Sequence, residues 1–362
     1  MRSVELLYFL YLAGFLFASI FQFRASSSEF KRFVNVVSLI VVVLFFSILI
    51  SFRPLDAGND TSRYASTFDQ LIDFLSAHSV GEDYFGNTEL GFWPFSYLIK
   101  MMGFDSSGFI FVIGCLSLSL IIMYSVLISR EGNREFSIIL FSLLGSYIVV
   151  YLGNHVRASL AIPLVFIMFC WVGSQRRLAT MSGIIALLFH FSSIFAFPFL
   201  ILRNKLNRSF WIAYILAMYL LSKFVLGVVL IVSPYLPFLG KKIELYFLFN
   251  KVAEFDSIFS LTNFKILSLL VGMIFVLKSN TIWARLSFYL YGLILALSIV
   301  PQVSERIFPF LMFVLPVALY DGLKLHFDNS MVALIMFLVF SLNLALVFSA
   351  ESARYTLALV GL

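Results

Sequence analysis

Residues 107–129, SGFIFVIGCLSLSLIIMYSVLIS, decide the fold. The stretch contains no Asp, Glu, Lys or Arg, and at ~1.5 Å rise per residue it is long enough to span a bilayer. In hydrocarbon the backbone is satisfied only within helices or closed barrels, and a barrel would show short alternating segments instead of an unbroken run. Comparable runs fall at 4–23, 33–52, 136–152, 156–173, 210–232, 263–278, 281–300, 306–323 and 330–348. Composition agrees: of 362 residues, 61% are hydrophobic and only 12% are charged, against about 25% charged in soluble domains. A soluble enzyme, a disordered chain and a nucleic-acid-binding protein are excluded. The expected fold is an all-α polytopic membrane protein, with residues 1–362 as one integral membrane domain. Cys115 and Cys170 both lie inside apolar runs, which argues against a disulfide framework or a CxxC metal site.

Charge placement orients the runs. The first is too long for a signal peptide, has Glu5 beside Arg2 ahead of it, and no small-x-small site follows. Arg24, Lys31 and Arg32 come next, so that turn is expected in the cytoplasm, with the N-terminus and an outer loop at 53–106 on the other side. Residues 178–202, LATMSGIIALLFHFSSIFAFPFLIL, read either as one crossing or as a re-entrant hairpin turning near His190. The compact cluster Arg203, Lys205, Arg208 favours the hairpin, because short loops weigh most in orientation. The hairpin also puts Asp60, Arg63, Arg157, Glu305 and Arg306 on one side. Two stretches too short to cross, 89–103 and 240–256, mix aromatics with lysine and suit interfacial helices; the second lies in an outer loop at 233–262. The expectation is about ten transmembrane helices, a re-entrant hairpin and two interfacial helices.

In so apolar a chain, polar groups near membrane depth need a reason. FRPLDAGNDTSRY at 52–64 holds Arg53, Asn59, Asp60, Arg63 and Tyr64, which read as a solvated turn or as a cradle for a polar substrate. Asn154 and Arg157 stand in YLGNHVRASLAIP at 151–163. Arg157 either snorkels to headgroups or aims a planar, permanently charged fork at a phosphate. His190, in LLFHFSSIFAFP at 187–198, is a core histidine or a base and donor at a backbone break. Pro301 is read as the end of one helix and Arg306 as the start of the next; Glu305 beside it is a second candidate contact or simply the ion-pair partner of Arg306. Glu89 in NTELGFW either caps a helix through its dipole or contacts substrate. Walker A, GxGxxG, HExxH and GxSxG patterns are absent, so any catalysis must draw on an already activated, membrane-delivered substrate.

In their order, FR…GND..RY, ELGF, N.VR..LA, FHFSSIFAFP and a late SER, these residues resemble the EpsG-like branch of the Wzy-type polysaccharide polymerases, most clearly over about residues 50–200. Leu90 stands where the family has proline, Ala158 where it has glutamine, and Asn59 where threonine is more usual. The resemblance implies a GT-C-like membrane glycosyltransferase of the bacterial inner membrane with a periplasmic active face. It would move a growing glycan from undecaprenyl diphosphate onto a lipid-linked repeat unit. Asp60, His190, Arg157 and Arg306 would be catalytic, and Arg53, Asn59, Arg63, Tyr64, Glu89, Asn154 and Glu305 would bind substrate. No cofactor or metal is implied. Partners would be the undecaprenyl-diphosphate-linked oligosaccharide, membrane lipids and a chain-length regulator, with no nucleic acid. A lipid-linked oligosaccharide flippase and a membrane ligase or acyltransferase are the rival readings; the first would show internal repeats and cations along a transmembrane path, the second a single transfer to another acceptor.

Overall fold

A computed structural model of the chain describes residues 3–24, 27–51, 61–72, 90–148, 156–203, 208–232, 279–297 and 301–350. Among the described residues every regular element is helical. They divide into two compact units, Met1–Ile194 with Phe327–Leu362, and Phe195–His326.

The first unit holds α1 (Ser3–Arg24), α2 (Ser28–Ser51), α3 (Thr61–Gln70), α4 (Phe92–Met101), α5 (Ser106–Gly132), α6 (Phe136–Leu143), α7 (Val156–Trp171) and α8 (Arg176–Phe189). The helix α13 (Asn329–Ala350) returns to it. The second unit holds α9 (Phe199–Leu202), α10 (Arg208–Val232), α11 (Ile282–Ala296) and α12 (Pro301–Lys324). Each expected apolar run coincides with a helix except 263–278, which lies outside the described residues, as does 240–256.

The helix α5 shows why these segments fold as they do. The Asp105 carboxylate accepts from the Gly108 N–H at 2.7 Å and caps the N-terminus. Asn133, at φ 49°, closes the other end in the left-handed region, and Arg134 folds back to donate to the Ile128 carbonyl at 2.8 Å. The serines between them return their hydroxyls to carbonyls four residues back, Ser117 to Ile113 and Ser125 to Ile121. A polar side chain on an apolar helix is thereby satisfied without water. Ser117 also meets Ser159 of α7 at 2.8 Å, a bond between helices.

Large apolar side chains point outward in both units. Phe111, Ile184 and Leu338 are exposed in the first, Leu216 and Phe224 in the second, Phe224 by 67%. Soluble monomers seldom leave such surface uncovered; helices bathed in lipid do. Two stretches have both the length and the apolarity to cross a membrane: α5, 27 residues with mean hydropathy 2.5, and Arg306–Lys324 of α12, 19 residues with mean hydropathy 1.5.

Two boundaries differ from expectation. The helix α12 begins at Pro301, not at Arg306. Proline is well accommodated in a first helical turn, where its missing N–H would have no intrahelical partner, so Pro301 opens this helix instead of closing the preceding one. The run 136–152 is α-helical only to Leu143 and widens into a π-turn at Leu144–Ile148. The Gly145 carbonyl within it accepts from Asn343 Nδ2 of α13 at 2.8 Å. A Cβ at Gly145 would run into the Tyr11 hydroxyl and lie 2.8 Å from the Phe340 carbonyl, so glycine is required for this approach.

At one end of the first unit, α1, α2 and α6 are tied through Glu135, whose carboxylate accepts from Gln22 at 2.7 Å and from Lys31 at 3.2 Å. A separate aromatic core, formed by Tyr64, Phe68, Phe92, Trp93 and Phe109 with Val156 and Leu160, joins α3, α4, α5 and α7.

Candidate functional site

The helix α3 comes directly after Asp60 in sequence and carries Arg63 and Tyr64. Its last turn is held from α4. Lys100 Nζ donates to three carbonyls at the C-terminal end of α3, Asp69 at 2.6 Å, Leu71 at 2.8 Å and Phe68 at 3.2 Å, and sits over the Phe68 ring at 5.8 Å. A cation at the negative end of a helix, bonded to its orphan carbonyls, is doubly favourable. Ser106 at the start of α5 donates to the Asp69 carboxylate at 2.9 Å. The ten residues of α3 are thus clamped at one end by α4 and α5.

Tyr64 lies on the inner face of α3 and is only 2% exposed. Its ring packs edge-on to Phe92 and stacks near Trp93, both with centroids at 5.9 Å. Its hydroxyl accepts a hydrogen bond from Arg157 Nε, and the guanidinium carbon lies 5.2 Å from the ring centroid. Arg157 is the second residue of α7 and half-buried. Burial of a guanidinium against aromatic rings lowers local hydration and strengthens whatever anion contact it makes.

The same end of the unit receives α8. Ser182 Oγ donates to the Leu164 carbonyl of α7 at 2.7 Å. With α7 and α8 antiparallel across the turn at 172–175, that register puts His190 level with Val156 and Arg157. The helix stops at His190, which takes an extended conformation (φ −153°, ψ 108°), and a 3-10 turn, Phe191–Ala196, comes next. Ser193 donates to the Ala186 carbonyl at 3.3 Å, filling one of the positions that continued helix would have used.

The ELGF motif docks onto this break. The Gly91 N–H, at the start of α4, donates to the Leu188 carbonyl at 3.1 Å, so one unsatisfied helix end serves another. Phe92 and Phe95 close on Phe189, with centroids at 6.3 and 5.3 Å. Four separate sequence motifs, those of Tyr64, Gly91-Phe92, Arg157 and Phe189-His190, therefore converge on one end of the first unit.

The remaining expected site residues are not gathered there. Arg63 is exposed on α3. Arg306 is exposed in the first turns of α12, in the second unit, and Glu305 precedes it in the same helix. Arg53, Asn59, Asp60, Glu89 and Asn154 lie outside the described residues. Lys100 is a residue that sequence reasoning misses. Its only signal there is a solitary cation in the last turn of an apolar helix, where it needs a partner.

This arrangement suits an anion. A partly buried guanidinium is held in a fixed plane by a phenol, and an imidazole stands at the same level on a helix break. No curated protein and no solved structure matches the sequence. A model of the EpsG family matches residues 36–358, most of the chain, and the chain belongs to the EpsG family.

Proposed function

We propose that this protein is a repeat-unit polymerase of polysaccharide biosynthesis, GT-C-like in architecture, working at the periplasmic face of the bacterial inner membrane. Membership of the EpsG family supports a glycosyltransferase-like membrane enzyme of polysaccharide biosynthesis in general. The observation that favours the finer reading is the gathering of Tyr64, Arg157 and the His190 break at one end of the first unit.

In the proposed reaction a hydroxyl oxygen of the lipid-linked acceptor repeat attacks the anomeric carbon of the growing glycan. A new glycosidic C–O bond forms, the bond to undecaprenyl diphosphate breaks, and the diphosphate leaves with the bonding pair. The hydroxyl proton goes to Asp60 or His190, either of which must come within hydrogen-bond reach of the attacking oxygen. Arg157 takes the charge that builds on the diphosphate, and Arg306 is assigned the same task from its own helix. One preorganised donor of this kind is worth about 3–4 kcal/mol of barrier. Arg53, Asn59, Arg63, Glu89, Asn154 and Glu305 are assigned to the sugars. Residues 178–202 are assigned a re-entrant path turning at His190.

The test is chain extension by purified protein, with lipid-linked repeat units as both donor and acceptor. Products growing by whole repeat-unit masses support the polymerase. Arg157→Ala and Arg306→Ala, each folded as wild type, should abolish growth. Full activity in both variants, or a single transfer to another acceptor, refutes the reading.

A further inference from the structure

We propose that Tyr64 is the positioning residue of Arg157, and that it selects the edge of the guanidinium that meets a diphosphate. The inference rests on the diphosphate reading above and extends it to a residue that the family resemblance assigns to sugar. A guanidinium offers two bidentate faces, one formed by Nε with an Nη and one by the two Nη groups. Because Nε donates to the Tyr64 hydroxyl, the first face is engaged and the ligand is met by the Nη1–Nη2 edge.

Three contacts make that choice rigid. The Tyr64 ring is wedged against Phe92 and Trp93 and cannot swing out of the core. The guanidinium rests 5.2 Å from the ring centroid, so its plane is limited by the ring as well as by the hydrogen bond. The helix behind Tyr64 is itself fixed by Lys100 at its C-terminal carbonyls and by Ser106 at Asp69. Replacing Arg157 by lysine would keep the charge but leave no fork for the phenol to orient. The contribution of the hydroxyl should therefore exist only while the arginine is in place.

The experiment is a double-mutant cycle on the full chain in lipid nanodiscs: wild type, Tyr64→Phe, Arg157→Lys and the double variant. Binding of farnesyl diphosphate is read by calorimetry, and kcat and KM of chain extension are read alongside it. Tyr64→Phe keeps the ring and removes the hydroxyl. It should weaken farnesyl diphosphate binding roughly 10- to 100-fold beside Arg157, the usual effect of losing a hydrogen bond to a charged group. In the Arg157→Lys background it should change binding by less than about twofold. Should Tyr64→Phe fail to fold, Lys100→Met is carried through the same cycle with the same expectation. An equal loss in both backgrounds, or none beside Arg157, overturns the inference. Coupling in binding without any chain extension upholds the positioning and refutes the polymerase. Chain extension with no coupling does the reverse, and a wild type that neither binds nor extends refutes both.

Discussion

Gly91→Ala tests whether the docking of α4 on the α8 break sets the site. Gly91 has φ −103° and ψ −25°, which alanine adopts without strain, so the substitution isolates a steric effect. An added Cβ would stand 2.8 Å from the Leu188 Cβ and 3.4 Å from its carbonyl oxygen. Carbon atoms in good contact lie ~3.5–4.0 Å apart, so the two helix ends must separate by roughly 1 Å. Neither Cβ can escape by rotating, because both are fixed to the backbone. Overpacking of this kind costs about 1–3 kcal/mol, and the 3.1 Å bond from the Gly91 N–H to Leu188 would lengthen with it. The displaced segment is the one that ends in His190, and a misplacement near 1 Å is worth about 100-fold in rate. Initial rates of chain extension in nanodiscs should therefore fall by about two orders of magnitude while helical content stays unchanged. Removing the opposing Cβ should restore part of the rate: Gly91→Ala with Leu188→Gly is expected to outperform Gly91→Ala alone, despite about 1 kcal/mol for glycine in a helix. Wild-type rates in Gly91→Ala would refute the steric argument, and failure of the double variant to recover would show that the loss does not act through Leu188.

Lys100→Met should loosen α3 specifically: amide hydrogens over 61–72 are expected to exchange about 10- to 100-fold faster, with α5 unchanged, as read by hydrogen exchange and mass spectrometry. Ser159→Ala removes the Ser117–Ser159 bond between α5 and α7 and should cost only about 0.6 kcal/mol in reversible unfolding, since each serine also bonds a carbonyl of its own helix. For topology, Cys115 and Cys170 are replaced and a single cysteine is introduced as Asn204→Cys. The re-entrant path predicts labelling by a membrane-permeant maleimide and none by an impermeant one applied from the periplasm; labelling by the latter would favour a single crossing through 178–202.

Long helices are legible in the sequence because apolar runs and their stop signals sit in one stretch of chain. Asp105 and Asn133 bracket α5 much as their residue types suggest. The break at His190 is also legible, since a histidine and two serines interrupt an otherwise apolar run. What escapes the sequence acts across distance. Lys100 caps carbonyls 29 to 32 residues earlier in the chain, a relation no local pattern announces. Tyr64 reads as a sugar contact because it stands just after charged loop residues, whereas burial turns its hydroxyl toward Arg157. Pro301 reads as a terminator because proline breaks helix interiors, but the same residue is at ease in an opening turn. The π-turn at Leu144–Ile148 depends on Gly145 fitting beneath Phe340 and Tyr11, which only the packed helices reveal.

That wide turn carries a consequence for how this scaffold tolerates insertions and deletions. A π-turn holds one residue more than the α-helix it interrupts. Deleting a residue within 144–148 would let the segment relax to ordinary helix and rotate its two flanks against each other by ~100°. The amide of Asn343 would then face a different carbonyl, and the chain would enter the stretch before Arg157 with its phase reset. Length changes are thus unequally permitted along this polypeptide: a lost residue here re-aims a cation that is spatially and sequentially removed from it.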